Sequence, residues 1–292
     1  MPAEDGSESR LRVRKTYKLA IGGAFPRSES GRSYPVEDSS GALLAQAAQA
    51  SRKDVRDAVV AARKAFPGWA AATAYNRGQV IYRVAEMLEG RREQFASEVA
   101  AAEGGTADAA LRSVDDSIDR IVWYAGWADK FAQVAGSANP IAGPYFNFSV
   151  PEPTGVVAIL APQESSLLGF VSVLAPVLCT GNTAVIVDSE RRPLPAVSLS
   201  EVLATSDLPG GVVNVLTGFT SELAPWLASH RDVNAIDLTG VAAGDRADLQ
   251  RAAADNVKRV YIPAGEDWTD EPGTARLTAF VETKTVWHPI GV

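Results

Sequence analysis

The feature that most constrains the fold is an alternation, from Gly155 onward, of short aliphatic runs with longer segments of helical character. The apolar runs are VVAIL, TAVIV, VVNVL, VNAIDLT and RVYIP. Strand-like runs separated by helical segments are typical of a parallel sheet whose strands are joined by helical crossovers. The second half of the chain is therefore predicted to be an α/β unit built on a parallel sheet.

The half of the chain before Gly155 has the periodicity of amphipathic helices. Ser51 is a good N-cap, and the apolar residues after it recur at helical spacing as far as Pro67-Gly68, where we expect the helix to end. The same spacing predicts helices over about 76–103 and about 113–134. The segment YKLAIGGAF predicts a short strand that enters a turn at Gly22-Gly23, because glycine accepts turn conformations that larger residues resist.

Between Gly136 and Glu152 the composition changes to proline, glycine and aromatic residues. The alternation of Tyr145, Asn147 and Ser149 is typical of an exposed hairpin, and the run 278–287 predicts a closing strand. We therefore expect a disordered leader over 1–15, an α/β domain over 16–135 and 153–270, and a β arm formed by 136–152 and 275–292.

Composition excludes several classes of function. The net charge of −7 argues against nucleic acid or an anionic membrane as the main partner. A single cysteine and two distant histidines leave no disulfide and no plausible metal site. The longest apolar stretch, 167–179, is shorter than the roughly 20 residues of a membrane span. We expect a cytoplasmic protein without metal, nucleic-acid or membrane contacts.

Several motifs follow one another in fixed order over nearly the whole chain: DVRDAVVAARKAFPGWA, PEPTGVVAILAP, LAPVLCTGNTAVIV, LPGGVVNVLTG and ETKTVWHPIGV. Together they resemble the aldehyde dehydrogenase family. The resemblance implies a Rossmann-like, NAD-binding fold with an oligomerisation arm. Between Thr239-Gly240 and the closing segment, where the family inserts its thiol-bearing catalytic domain, this chain has only a few tens of residues. It resembles a truncated member, similar to the degenerate second unit of two-part aldehyde dehydrogenases.

The positions that the family uses for catalysis carry different residues here. Where the family has Pro-Trp-Asn, whose Asn donates to the oxyanion, this chain has Pro162-Gln163-Glu164. The general-base Glu of the family's Glu-Leu-Gly-Gly motif is replaced by Pro263. Cys179 lies in the apolar segment LAPVLCTGN, where we expect a small core residue rather than a nucleophile. The resemblance therefore implies no catalytic residues.

Cofactor binding is left open by the same resemblance. The family's Lys-Pro-x-Glu corresponds to 187–190, which keeps the ribose-binding carboxylate as Glu190 but not the Lys. The family's Phe-Thr-Gly-Ser-x-x-x-Gly resembles 238–244, which gives Thr239, Gly240 and Gly244 as further candidate cofactor residues. We expect no resident cofactor, with NAD as the possible ligand, and the alternative interpretation of Glu190 is a solvated surface carboxylate.

The two segments that resemble the family's oligomerisation arm, 136–152 and 275–292, favour a role in assembly. An exposed sheet edge calls for a partner, so we expect a non-catalytic structural or regulatory subunit that forms a homo-oligomer or binds a full-length aldehyde dehydrogenase through the arm. One alternative is an NAD(P)-dependent aldehyde oxidoreductase with atypical chemistry. Another is a dinucleotide-binding module without chemistry.

Overall fold

In a computed structural model that describes residues 14–291, a central parallel sheet carries helices on both faces and two smaller sheets at its sides. The strands are β1 (Thr16–Tyr17), β2 (Ser33–Glu37), β3 (Leu43–Ala48), β4 (Ser137–Asn139), β5 (Tyr145–Pro153), β6 (Val156–Leu160), β7 (Thr183–Val187), β8 (Val213–Leu216), β9 (Ala235–Asp237), β10 (Arg259–Tyr261) and β11 (Val281–Pro289). The helices are α1 (Arg52–Ala71), α2 (Ala74–Glu89), α3 (Arg92–Glu103), α4 (Ala107–Trp127), α5 (Phe131–Ala135), α6 (Leu168–Cys179), α7 (Leu194–Ala204), α8 (Thr220–Ser229), α9 (Arg246–Ala254) and α10 (Ala275–Ala279).

The central sheet confirms the predicted α/β fold. Its strand order is β10-β9-β6-β7-β8, with every neighbouring pair parallel. Alternate residues of a strand point to opposite faces, and Val157 and Ile159 pack with α2, α4 and α6 while Val156 and Ala158 pack with α1, α8 and α9. Because both faces are covered, most strand residues are apolar, as the sequence runs indicate, and Asn214 and Asp237 are among the buried polar exceptions.

The N-terminal helices differ in their bounds from the predictions. The predicted end of α1 at Pro67-Gly68 is wrong, since the helix runs on to Ala71. Trp69 is buried and its Nε1–H donates to the carbonyl of Leu178 at 3.2 Å, so packing in the last turn outweighs the hydrogen bond that Pro67 cannot make. The predicted helix over 76–103 is two helices, α2 and α3, and the one over 113–134 is α4 and α5.

The turn at Gly22-Gly23 is present, with φ angles of 65° and 82°, and the short strand before it is β1. β1 joins β2 and β3 in a small sheet that the periodicity did not reveal. Residues 1–13 of the predicted leader lie outside the described residues.

The third sheet has the order β11-β5-β4 and contains the segments predicted for the β arm. β11 pairs with β5 in antiparallel register from Val281 opposite Pro153 to Pro289 opposite Tyr145. The closing strand begins at 281 rather than 278, because α10 occupies the preceding residues. Asn147 is buried rather than exposed, and its Oδ1 accepts from Nδ2 of Asn139 at 2.6 Å.

Among the helices of residues 14–291, none combines the length and the apolar character that a bilayer span requires.

Candidate functional site

The connections of the central sheet reverse direction between β6 and β9. The chain places β7 and β8 on one side of β6, and then crosses back to add β9 and β10 on the other. In open parallel sheets, ligands bind beyond the carboxyl ends of the strands at such a reversal. A cleft of about 610 Å³ lies at this position, between the residues that follow β6, β7 and β9 and the helices α8 and α9.

Both carboxylate and apolar side chains line this cleft. Glu190 follows β7, Asp245 immediately precedes α9, and Asp248 lies in the first turn of α9. Arg191 supplies a single positive charge to the lining. The apolar part consists of Ala224, Pro225, Val241 and Leu249. Among the residues that line the cleft, carboxylates therefore outnumber cations.

Glu190 caps a helix at the edge of the cleft. Its Oε1 accepts from the backbone N–H of Thr220 at 2.6 Å, at the first residue of α8. Its own N–H donates to Oε1 of Gln163 at 3.0 Å. A carboxylate at this place stabilises unpaired N–H groups and the positive end of the helix dipole. Glu190 is thus half-buried and bonded within the protein, in contrast to the solvated carboxylate of the alternative interpretation.

Gly240 lines the cleft because two chain segments meet closely there. Its N–H donates to the carbonyl of Leu160 at 2.7 Å, and a Cβ at this position would overlap the carbonyl oxygen of Ala161. Any larger residue would push apart the ends of β6 and β9. The N–H of Gly240 is already bonded, so the glycine serves the close approach of two strand ends.

Thr239 and Gly244, the other two candidate cofactor residues, do not line the cleft. The Oγ1–H of Thr239 donates to Oδ1 of Asp237 at 2.5 Å. Oγ1 of Thr239 in turn accepts from Nη2 of Arg276 at 2.9 Å. Gly244 lies in a short 3₁₀ turn over 243–245. Of the four candidates, the structure brings Glu190 and Gly240 together and directs Thr239 into a neighbouring ion cluster.

Asp245 stands where the motif of the resembling family has its final glycine. Counted along Phe-Thr-Gly-Ser-x-x-x-Gly from Leu238, the final glycine of the pattern falls on residue 245, one after Gly244. That residue is Asp245, which lies at the N-terminus of α9. This chain therefore places a carboxylate where the pattern places a residue without a side chain.

An ion cluster covers the carboxyl ends of β9 and β10. Nη1 of Arg276 donates to Oδ2 of Asp237 at 2.6 Å, and Nη2 donates to Oε2 of Glu266 at 2.5 Å. The guanidinium lies 4.4 Å from the ring centre of Tyr261, whose hydroxyl donates to Oε1 of Glu266 at 2.7 Å. Burial and, after it, the bond to Glu266 together raise the pKa of Tyr261 to about 12. The cluster is closed, because each carboxylate is held by Arg276.

A second arginine holds the loop 262–274 that contributes to this cluster. Nη2 of Arg120, on α4, donates to the carbonyls of Trp268 and Asp270, each at 2.7 Å. Its Nη1 donates to Oγ of Ser172 on α6 at 3.0 Å. Arg120 and Arg276 thus attach the loop to the sheet and to the helices of one face.

Cys179 lies far from this edge of the sheet. It is the last residue of α6, which begins after the carboxyl end of β6 and returns to the amino end of β7. The side chain is buried, and burial raises the pKa of its thiol to about 12. Thiolate chemistry at neutral pH requires a lowered pKa and access, so the core position predicted for Cys179 agrees with its surroundings.

The rim of the cleft offers hydrogen-bond acceptors. Carboxylates such as Glu190, Asp245 and Asp248 are good acceptors for hydroxyl groups. Cations lie beside these carboxylates, since Asp248 is ion-paired with Arg251 and Nε of Arg246 donates to the carbonyl of Val241 at 3.0 Å.

Some of these features could be predicted from local sequence, and others could not. Asp237 stands inside the apolar run VNAIDLT, and a buried carboxylate requires a partner, so an ion pair could have been expected there. Arg276 lies 39 residues further along, in a segment assigned to the arm, and no local pattern links the two. Asp245 and Asp248 resemble ordinary charges of an exposed helix end.

Comparisons with known proteins agree on one family. The family model described as "Aldehyde dehydrogenase family" matches residues 25–265. The chain is 30% identical over 270 residues to "Aldehyde dehydrogenase, cytosolic 1" of Elephantulus edwardii, covering 91% of this chain and 53% of that protein. It is 34% identical over 260 residues to "Retinal dehydrogenase 2" of Gallus gallus, covering 87% and 49% respectively. The chain spans about half the length of these curated relatives.

Solved structures give the same result. An aldehyde dehydrogenase from Bacillus cereus, described as an NAD⁺ complex, superposes with a TM-score of 0.77 at 28% identity, covering 84% of this chain and 50% of that one. PnpE, described in complex with nicotinamide adenine dinucleotide, superposes with a TM-score of 0.78 at 30% identity, covering 83% and 50%. Both neighbours were therefore solved with the dinucleotide bound.

Proposed function

This chain belongs to the aldehyde dehydrogenase family, and we propose that it is a non-catalytic member that assembles through its β arm, with a second copy of itself or with a full-length aldehyde dehydrogenase. The observation that carries the proposal is the long outer edge of β11. Within residues 14–291, β11 pairs over nine residues with β5, and no strand pairs with its other side. Unpaired edges of this length favour association with another chain.

The opposite side of the arm is a poorer edge. β4 covers only three residues of β5. The residues of β5 that β4 leaves uncovered include Pro151 and Pro153, which have no N–H to donate to a further strand. The outer edge of β11 is thus the side of the arm that is better suited to pairing.

Exposed aromatic residues near the tip of the arm add an apolar contact surface. Phe146 and Trp287 are 51% and 59% exposed, and the ring of Trp287 lies 6.0 Å from that of Tyr145. Aromatic side chains grouped in this way are common at protein interfaces. Their exposure supports a partner that covers the tip of the arm.

Three features support the absence of catalysis. The chain has one cysteine, Cys179, which is buried at the amino edge of the sheet. Glu164, where the resemblance implies an oxyanion donor, is a carboxylate paired with Arg192 at 2.7 Å. The carboxyl ends of β9 and β10 are covered by the Arg276 cluster. An assay of several aldehydes with NAD or NADP tests this point, and turnover that Glu164→Ala abolishes would establish the atypical oxidoreductase instead.

Assembly is tested by the mass in solution of the full chain, alone and mixed with a full-length aldehyde dehydrogenase. We expect a species larger than the monomer, and its loss in Phe146→Ala/Trp287→Ala. The matched control is Tyr75→Ala/Tyr82→Ala, which removes two exposed aromatic rings from α2 and should leave the assembly intact. A monodisperse monomer that captures no dehydrogenase contradicts the proposal.

Ligand binding without chemistry is the second candidate function. It is favoured by the cleft at the reversal of the sheet and by the NAD complexes of similar structures. A ligand that binds only the folded state raises the unfolding temperature by mass action. Thermal stabilisation by NAD at increasing concentration therefore tests the dinucleotide itself.

A further inference from the structure

We infer that the partner at the arm is a second copy of this chain, whose β11 pairs antiparallel with β11 of the first copy about a two-fold axis at Thr285. The two arms then form one continuous sheet. The inference rests on the proposed function, because it specifies the partner and the register at the same edge. It is carried by the direction of the free backbone groups of β11, by a row of polar side chains that ends at Thr285, and by the charges along the strand.

The backbone groups on the free edge of β11 belong to alternate residues. The N–H of Thr154 donates to the carbonyl of Phe280, and at the other end of the pairing the N–H of Ile290 donates to the carbonyl of Pro144. Because bonded and non-bonded pairs alternate in an antiparallel ladder, the even-numbered residues of β11 bond to β5. The residues that direct their backbone groups outward are therefore the odd-numbered ones, Val281, Thr283, Thr285, Trp287 and Pro289.

A second β11 fits this edge best when Thr285 lies opposite Thr285 of the second copy. In this register Val281 faces Pro289 of the second copy, Thr283 faces Trp287, and all nine residues of the strand are opposed. Each outward N–H then meets an outward carbonyl, and Pro289, which has no N–H, stands at the end of the strand, where it only has to accept. Any other two-fold register leaves residues unpaired at the strand ends.

A row of polar side chains crosses the arm and ends at the proposed axis. Nδ2 of Asn139 donates to Oγ of Ser149 at 2.9 Å, and Oγ of Ser149 lies 2.9 Å from Oγ1 of Thr285. Thr285 is exposed and ends the row at the free edge. In the proposed register its hydroxyl meets that of its own copy, and threonine pairs opposed across two strands hydrogen-bond. The row then continues without a break into the second arm.

The charged side chains of β11 separate the proposed register from its neighbours. Glu282 and Lys284 are each ion-paired within the chain. The proposed register places Glu282 opposite His288 of the second copy and Lys284 opposite Val286, so no like charges are directly opposed. An axis at 284 brings Lys284 opposite its own copy, which destabilises a sheet, and an axis at 286 places it opposite His288, which gives no attraction. An axis at 283 opposes Glu282 and Lys284 favourably but pairs only 281–285.

A cysteine scan along β11 of the full chain tests the register. The chain has one cysteine, Cys179, which is buried, so an introduced thiol has no accessible competitor. Opposed hydrogen-bonded residues lie about 5.5 Å apart between Cα atoms, within the range that a disulfide spans. After oxidation we expect Thr285→Cys to give at least about tenfold more disulfide-linked dimer than the matched controls, because each control thiol is displaced from its own copy by about 7 Å or more along the strand. These controls are Thr283→Cys, Lys284→Cys and Val286→Cys.

Removal of the central backbone donor supplies an independent readout. The N–H of Thr285 faces the free edge, so Thr285→Pro leaves the pairing with β5 intact and removes the hydrogen bond that each copy donates at the axis. We expect the dissociation constant of the dimer, measured by analytical ultracentrifugation, to rise at least about tenfold. The matched control Thr285→Val keeps the N–H and should raise it less than about fivefold. Circular dichroism checks that both variants keep the fold.

The outcomes separate this inference from the proposed function. A dimer of the full chain alone, linked preferentially at position 285, supports both. Self-assembly without that preference, or with an unchanged dissociation constant in Thr285→Pro, overturns the register and leaves assembly through the arm standing. A chain that is monomeric alone but captures a full-length dehydrogenase overturns the second copy as partner and keeps the proposed function. A monomer that captures nothing contradicts both.

Discussion

The carboxyl edge of the central sheet is open at one end and closed at the other. Beyond β6, β7 and β9 the cleft has a volume of about 610 Å³. Beyond β10 the cavity is about 240 Å³, because loop 262–274 lies over the strand ends. Both ends are rich in carboxylates. At the closed end Asp237 and Glu266 are bonded to Arg276, whereas at the open end Asp245 makes no ion pair among the described residues.

The difference separates residues that hold the fold from residues that are free to meet a ligand. A carboxylate buried in an ion pair is fixed by its partner, and the loss of either partner leaves a buried charge. A carboxylate on an open rim is solvated and contributes little to stability. The predictions below ask whether the two ends respond to substitution as this division requires.

The largest effect is expected at the closed end, for Arg276→Met. The substitution leaves Asp237, which is fully buried, without its guanidinium partner. Removing one member of a buried pair typically lowers the free energy of unfolding by about 3–5 kcal/mol. Urea unfolding followed by circular dichroism measures the change. Adding Asp237→Asn to this variant should restore at least about 1 kcal/mol, because the two groups are coupled.

The open end provides the control for this measurement. Arg251→Met removes the exposed guanidinium that pairs with Asp248. An exposed pair of this kind should change stability by less than about 0.5 kcal/mol. Equal losses in Arg251→Met and Arg276→Met would show that the closed cluster is no more structural than the open rim.

The contrast between the two ends follows from tertiary contacts that local sequence reveals only in part. The strands of the central sheet could be predicted, because each apolar run is long enough to be buried on both faces. The placement of Glu190 and Gly240 beside the cleft agrees with the resemblance. The direction of Thr239 could not be predicted, since it depends on Arg276, whose distance along the chain hides the pairing. The small sheet of β1, β2 and β3 was missed because its alanine-rich third strand has no distinct periodicity.

A smaller effect is expected where the two ends meet, for Gly240→Ala. The new Cβ would overlap the carbonyl oxygen of Ala161 and separate the ends of β6 and β9. Overpacking of this kind lowers the free energy of unfolding by about 1–3 kcal/mol. Gly244→Ala is the matched control, because no atom lies within 4 Å of a Cβ built there. That variant should be neutral or stabilised by up to about 1 kcal/mol, and a loss equal to that of Gly240→Ala would contradict the structure of this edge.

The smallest effect on stability is expected at Glu190. This residue lines the open end, and its carboxylate also accepts a hydrogen bond from the backbone N–H of Thr220. In Glu190→Ala the first turn of α8 loses its acceptor, and the loss of a helix cap lowers stability by about 1 kcal/mol. Glu190→Gln keeps an oxygen acceptor but not the charge, so it should lose about half as much. Chemical unfolding without ligand measures both changes, and NAD titration of the two variants follows. If Glu190 were only a ligand-binding residue, stability without ligand would be unchanged in both variants while affinity fell. A loss of stability in Glu190→Ala that Glu190→Gln partly recovers would instead show that a carboxylate on the rim of the cleft also holds the helix that forms its wall.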